Sequence, residues 1–258
     1  MSSIRLVSVV LPTYNEAGNI VPLAEAIYHA IGRPHEIIVV DDNSPDGTSQ
    51  LVADAIKRGN IPSLRLETRH RDRGLTKSIK RGIELAQGDV IVWMDCDFSM
   101  PPAEIPKLLG KIDHGHDIAV GSRFMEGGKH KESSRFVGGE ESGLTILLSR
   151  FLNRAIRMSL YSGFHDYTSG FIAVRRQVLD RLPLRGDYGE YFMDFIYRAI
   201  LNDYKIVEVP YECVPRRAGE SKTGASLKHI VKYGIQYLRV LVRMWGLRFR
   251  KLCGGSIA

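Results

Sequence analysis

Cysteine is scarce in this chain. Cys96, Cys213 and Cys253 are odd in number, widely spaced and never paired as C-x-x-C, which argues against a disulfide framework or a zinc site and suits a reducing cytosol. No apolar run approaches 18 residues, so no plain membrane-spanning helix is expected. The stretch Val7 to Leu11 is too brief for a secretory leader. Neither G-x-G-x-x-G nor G-x-x-x-x-G-K-[ST] occurs, so dinucleotide and P-loop sites lack their signatures. Internal repeats, low-complexity tracts and interdomain linkers are also missing. What remains is 258 residues, 44% hydrophobic and 25% charged, which excludes a disordered or fibrous chain and is enough for a sizeable core.

Acids are nearly lacking at the C-terminal end. From Arg216 onward ten Lys/Arg face one acid, Glu220, whereas residues 1–215 hold 26 bases and 28 acids. The net charge of +7 is thus a basic tail on a near-neutral body, which suits a solvated helix face, a nucleic acid or an anionic membrane surface. Nucleic acid is set aside because the bases are not interleaved with stacking aromatics in a recognised module.

The first 120 residues alternate between short β-branched runs and helical spacings. Strands are expected at Ile4–Leu11, Glu36–Val40, Leu64–Glu67, Val90–Met94 and Asp117–Gly121, with helices at Asn19–Ile31, Thr48–Lys57, Leu75–Ala86 and Pro102–Ile112. These are βαβ units, hence a parallel sheet with right-handed crossovers. Beyond a Gly- and Lys-rich loop, Phe124–Gly143, that could close over a ligand, helices are expected at Leu144–Leu160 and Tyr191–Asn202, a strand at Ser169–Val174 and extended chain at Lys205–Pro215.

Polar clusters stand at the carboxyl ends of four strands: Thr13-Tyr14-Asn15-Glu16, Asp41-Asp42-Asn43-Ser44, Asp95-Cys96-Asp97 and Ser122-Arg123. In an open α/β sheet that edge receives ligands. The D-x-D past a buried strand can hold a hard divalent cation completed by phosphate oxygens and water, and such a cation neutralises a departing diphosphate. In Ser44-Pro45-Asp46-Gly47-Thr48 the turn explains Asp46 and Gly47, with Thr48 as helix cap. It does not explain Asp41 and Asp42, which repel unless solvent, a donor-rich ligand or a basic neighbour compensates. Arg175, Arg176 and Arg217 read as surface ion pairs. Asp166 reads either as an acceptor-aligning or sugar-pocket group or as a turn cap before the next strand.

Pro12-Thr13-Tyr14-Asn15-Glu16, Val39-Val40-Asp41-Asp42-Asn43-Ser44-Pro45-Asp46-Gly47-Thr48, Met94-Asp95-Cys96-Asp97, Gly121-Ser122-Arg123, Thr168-Ser169-Gly170-Phe171 and Arg216-Arg217-Ala218-Gly219-Glu220-Ser221-Lys222 resemble, in order, the family 2 glycosyltransferases, and within them the dolichol- or polyprenol-phosphate mannose synthases. The resemblance implies an α/β fold of GT-A type: a Rossmann-like, mostly parallel sheet flanked by helices. It also implies inverting transfer of mannose from GDP-mannose to a polyprenyl or dolichyl phosphate, assisted by Mg2+ or Mn2+. Carried over, Pro12, Tyr14, Glu16, Asp41 and Asp42 would line the base and ribose pocket. Asp95, Cys96 and Asp97 would meet the diphosphate, and Asp95 and Asp97 the metal, with Ser99 standing where some members have a Gln ligand. Asp97, Arg123, Arg216 and Lys222 would carry catalysis, with Arg123, Arg135 and Arg216 gripping the acceptor phosphate. Two departures stand out: the family's Arg-x-x-x-Ser becomes Arg135-Phe136-Val137-Gly138-Gly139, and Met100 replaces a frequent His. Another donor such as UDP-glucose, or a soluble acceptor, is the competing reading.

The division expected is a catalytic domain over residues 1–224 and a basic amphipathic helix over 225–258. On a wheel, Lys228, Lys232, Arg239, Arg243 and Arg250 fall within roughly 60° of arc, with Ile230, Ile235, Val242, Trp245 and Phe249 on other faces. Such a helix suits the cytoplasmic membrane surface, with a small membrane subunit as a further partner; a solvated helix packed on the body is the alternative. Gly234 and Gly246 weaken the helix in either case.

Overall fold

The computed structural model describes the backbone of residues 4–129, 152–217 and 227–254, and the side chains of all of these except 227–235. Arg135, Lys222, most of the 124–143 loop and the first half of the 144–160 helix lie outside the described residues.

Among the described residues seven strands form one sheet: β1 (Val7–Thr13), β2 (His35–Asp41), β3 (Leu64–Thr68), β4 (Val90–Trp93), β5 (Ile118–Ser122), β6 (Ile172–Arg175) and β7 (Ile206–Pro210), in the order β3-β2-β1-β4-β6-β5-β7. Helices α1 (Ile20–Ala30), α2 (Thr48–Arg58), α3 (Leu75–Leu85) and α4 (Ile105–Asp113) connect the first five strands. Residues 152–159 are helical (α5), and α6 (Arg176–Arg181), α7 (Glu190–Leu201) and α8 (Leu227–Leu252) follow. The inner strands are apolar on both faces, as a helix-covered parallel sheet requires. Val7, Val9, Leu11, Ile37 and Val39 pack into one core, and Val10, Ile38, Val40, Ile91 and Trp93 into the other.

The first five strands all run the same way, so the sheet is mostly parallel as expected, with one strand reversed. β6 runs antiparallel to both β4 and β5, with Trp93 opposite Ile172 and Val120 opposite Ile172. The reason lies in two contacts made where β6 begins. Ser169 Oγ donates to the Gly121 carbonyl, and Gly121 N–H donates to the Phe171 carbonyl at 2.9 Å, so the chain is already pinned at the carboxyl edge when β6 begins and can only run back from there. The short α6 that follows escaped the sequence reading. Arg175 and Arg176 are not surface ion pairs either. Arg175 donates to the His116 carbonyl at 3.0 Å, and Arg176 to those of Gly88 and Ala86 at 2.8 and 2.6 Å, so both satisfy carbonyls left open past the ends of α4 and α3.

α3 lies close on β1 because Gly82 lets it. A Cβ there would sit 2.2 Å from Val10 Cγ1. Gly82→Ala is expected to lower stability by about 1–3 kcal/mol through overpacking, read as a lower denaturant midpoint with unchanged slope.

α8 runs parallel along α7. The Tyr237 hydroxyl stands 2.7 Å from the point where a Cβ on Gly189 would be, Arg243 Nη2 meets Asp194 Oδ1 at 2.6 Å, and Lys251 Nζ meets Asp203 at 2.9 Å beyond the end of α7. Asp194 also binds the buried Arg198 at 2.8 Å. Val240 and Met244 of α8 are buried. Among the described residues no helix is long and apolar enough to cross a membrane.

Candidate active site

The strand order reverses direction between β1 and β4, and the four polar clusters gather at the carboxyl edge around that point, the usual ligand crevice of open α/β sheets. The loops after β1 and β2 are stitched together. Asn15 N–H donates to Ser44 Oγ at 2.8 Å, Glu16 N–H to Thr48 Oγ1 at 3.0 Å and Ala17 N–H to Asp46 Oδ2 at 3.0 Å. Gly47 takes φ +86° and is the cap of α2. Thr48 is therefore the first helical residue and not the cap; its own N–H and hydroxyl donate to Asp46 Oδ1 at 3.1 and 2.6 Å. Burial pushes the Asp46 carboxyl up, but these donors outweigh it and hold it below the ordinary range.

Asp41 and Asp42 are both buried, and each has its own donors. Asp41 accepts from Ser44 N–H at 2.9 Å, Ser49 Oγ at 2.6 Å and the Ser44 hydroxyl. Asp42 accepts from Arg69 at 2.7 Å, Ser78 Oγ at 2.8 Å and Gly74 N–H at 2.8 Å. Gly74 adopts φ +155° to present that N–H. The repulsion between adjacent carboxylates is thus relieved within the chain, by the basic neighbour Arg69. Beside them Arg73 lies over the Tyr14 ring, its Cζ 5.1 Å from the centroid, and donates to the Tyr14 hydroxyl at 3.1 Å. Arg69 and Arg73 escaped the sequence reading. The only signal was a basic run, Arg69 to Gly74, directly after β3.

Past β4, Cys96 turns inward: its thiol donates to the Pro12 carbonyl at 3.4 Å, lies 3.5 Å from Thr13 Oγ1, and is pushed up by burial. Its neighbours stand over the cleft. Asp97 Oδ1 accepts Ser99 N–H at 2.9 Å, and Asp97 Oδ2 meets Arg216 Nε at 3.0 Å. The 214–217 segment is laid against 97–99 by two backbone bonds, Val214 N–H to Ser99 and Arg217 N–H to Asp97, both 3.2 Å. The structure therefore brings the first residue of R-x-x-G-x-S-K onto the D-x-D. Among the described residues Arg217 has no ion-pair partner; its guanidinium covers the Phe98 ring at 5.4 Å. Asp95 is pushed up to about 7 by burial and by the charge of Asp97, against the pull of Arg216 and Arg123.

Among the described residues, no group of three or more His, Cys, Asp or Glu side chains gathers to hold a metal. Asp95 and Asp97 alone are a hard two-carboxylate set, and Asp95 accepts no hydrogen bond from a described residue. That set fits a divalent cation whose remaining ligands are diphosphate oxygens and water.

At the end of β5, Arg123 forms a bidentate pair with the fully buried Asp166, Nε to Oδ2 and Nη2 to Oδ1, both 2.8 Å. Its Nη2 also donates to Thr168 Oγ1 at 2.9 Å and its backbone N–H to Asp166 at 3.0 Å. Burial opposes the charge on each partner, yet the pairing wins: Arg123 is raised and Asp166 lowered. Asp166 also accepts Thr168 N–H at 3.2 Å, so it caps the turn, as one of its two readings had it, and orients Arg123. Below the cleft, Trp93 Nε1 donates to the Tyr191 hydroxyl at 2.9 Å, tying the start of α7 to the strand that leads into the D-x-D. The adjoining Glu190 is buried, and its Oε2 has no hydrogen-bond partner among the described residues.

The chain is similar to known proteins along most of its length. Residues 8–182 match the family model for glycosyl transferase family 2. The chain is 36% identical to a dolichol-phosphate mannosyltransferase of Pyrococcus furiosus over 92% of its own length and 63% of that protein's. It is 35% identical to a polyprenol monophosphomannose synthase of Mycolicibacterium smegmatis over 94% of its length and 87% of that protein's. At 29% identity, an undecaprenyl-phosphate 4-deoxy-4-formamido-L-arabinose transferase of Enterobacter covers 86% of the chain, which spans 64% of it. Among solved structures, glucosyl-3-phosphoglycerate synthase from Mycobacterium tuberculosis, bound to Mn2+, UDP and glucosyl-3-phosphoglycerate, superposes with a TM-score of 0.67 at 21% identity, over 94% of this chain and 80% of that one. At that identity the likeness speaks for the fold alone.

Proposed function

Because this chain belongs to glycosyl transferase family 2, we propose that it transfers mannose, with inversion, from GDP-mannose to a polyprenyl phosphate. The carrying observation is the contact between Arg216 and Asp97, which sets a cation from the tail-proximal motif beside the D-x-D at the sheet edge. The names of the relatives support the acceptor class more broadly than the sugar: three of them name a prenyl-type phosphate, and one of those names a different sugar.

The chemistry suits such an acceptor. A hydroxyl needs a positioned base to take its proton. A phosphate monoester, with a second pKa near 6, is largely dianionic at neutral pH and is already a nucleophile. The task left to the protein is electrostatic. Two unit charges of like sign about 4 Å apart repel by roughly 4 kcal/mol at an effective dielectric near 20. Arg216, and Lys222 and Arg135 by the family resemblance, would offset that repulsion, and Arg123, held in place by its pair with Asp166, would join them at the acceptor phosphate as the resemblance implies. Asp95 and Asp97 would hold Mg2+ or Mn2+, which when bound supplies charge for the departing diphosphate. Tyr14, Asp41, Asp42 and Glu16 would border the nucleoside, and Pro12 would shape its floor.

The test is transfer itself. Purified full-length protein with labelled GDP-mannose, Mg2+ or Mn2+ and a polyprenyl phosphate is expected to give an organic-extractable product. Label that stays aqueous with every prenyl phosphate, while UDP-glucose is transferred, would replace the donor. Transfer only to soluble acceptors would replace the acceptor.

A further inference from the structure

α8 has three faces, not the two expected of it. Val240 and Met244 are buried against the body, flanked by Tyr237, Leu241 and Leu247. Arg239, Arg243 and Arg250 form a second strip. Leu238, Val242, Trp245, Phe249 and Leu252, at spacings of 4, 3, 4 and 3, form a third. Every member of this third strip is exposed, from 48% for Trp245 to 78% for Leu252. The apolar surface continues off the helix, since Trp245 Nε1 donates to Ser159 Oγ at 2.9 Å, in the segment that carries the exposed Met158 and Tyr161. At its far end a groove of about 440 Å3 opens, lined by Tyr161, Tyr197 and Leu252 with Arg248 and Lys251 among its walls.

We infer that this face docks on an anionic phospholipid bilayer, with the third strip, Met158 and Tyr161 at the acyl boundary and Arg239, Arg248 and Arg250 at the level of the lipid phosphates. Contiguous exposed apolar surface of this extent marks an interaction site, and the flanking charge selects the occupant. α8 contains no Asp or Glu. A second copy packed on the strip would therefore place its own arginine row beside this one with no acid on either helix to compensate. A bilayer offers apolar depth and negative charge together, and Trp and Tyr suit its boundary because one end of each ring is polar. The strip begins one residue past Tyr237, which touches Gly189 at the start of α7. It runs about 21 Å away from that end of α7. The proposal extends the lipid-phosphate reading of the active site, but its geometry does not depend on it.

Vesicle co-sedimentation of the full chain, without any prenyl phosphate, tests the face. Binding to phosphatidylcholine vesicles holding about one-third phosphatidylglycerol is expected to exceed binding to phosphatidylcholine alone by at least about tenfold. The triple variant V242S/W245S/F249S should lose at least about tenfold at low and high salt alike, while R239Q/R250Q should lose mainly the salt-sensitive part. Because these positions are exposed, thermal melts should stay within a few degrees of the parent. Equal binding by the triple variant, or no binding by the parent, overturns the proposal. So does light scattering that shows a parent dimer dissolved by the triple variant. The triple variant should still glycosylate a short, water-soluble prenyl phosphate. If no prenyl phosphate is glycosylated by any variant and the vesicle pattern holds, the function above fails while the docking face stands.

Discussion

Asp97→Asn is expected to reduce kcat by about 10²–10³-fold, the scale seen when one preorganised charge contact to a developing anion is lost. Asp97 is almost wholly buried and holds both Arg216 and the Ser99 N–H, so the substitution removes negative charge from the D-x-D and releases the cation placed beside it. The fold should survive. Arg216 is a quarter exposed and gains water as a partner, and the amide keeps an oxygen for Ser99. Initial rates at saturating donor, together with a melting curve, separate the two effects. Full activity with an intact melting curve would remove Asp97 from the mechanism.

Asp166→Ala should instead strike the fold. Removing one partner of a buried ion pair strands the other charge, at a cost of about 3–5 kcal/mol, and among the described residues Arg123 is left with Thr168 and the face of Phe124. For a chain of this size that is a fall in Tm of roughly 6–20 °C. The pair also sets an acid limit. Because the Asp166 carboxyl is held below its ordinary value, its contribution is fully present above the unfolded value near 3.9. It is lost as pH falls below that toward the lower folded value. Denaturant midpoints measured between pH 6 and about pH 3 should therefore drop more steeply for the parent than for Asp166→Asn. Parallel slopes would show that Asp166 is not the linked group.

The sheet and the site edge were legible because their signal is local: five short apolar runs, each closed by acids or small polar residues, with helical spacing between. β6 was visible as a strand but its direction was not, since direction depends on Ser169 and Phe171 bonding to Gly121 across a long stretch of chain. Asp95 and Asp97 could be picked out by spacing. Their partner Arg216 came only from the family resemblance, because nothing local to Arg216 says that 214–217 lies along 97–99. Arg69 and Arg73 had no motif at all, and the Asp41-Asp42 pair called for solvent, a ligand or a basic neighbour without showing which. On α8, periodicity found the arginine strip but could not divide the apolar residues into a packed face and an exposed one. That division is set by α7.

The unequal placement of the strands has a kinetic consequence for the Asp97–Arg216 contact. β1, β2 and β4 are internal to the sheet, whereas β7 is its margin. Amides of the inner strands should exchange with solvent deuterons only when the whole molecule opens, while those beyond β7 exchange through small local excursions. One end of the contact thus belongs to the longest-lived part of the scaffold and the other to a short-lived one. Arg216 is then expected to leave and return many times within the lifetime of the acidic strand ends it visits, seen as faster deuterium exchange at the Val214 and Arg217 amides than along β4.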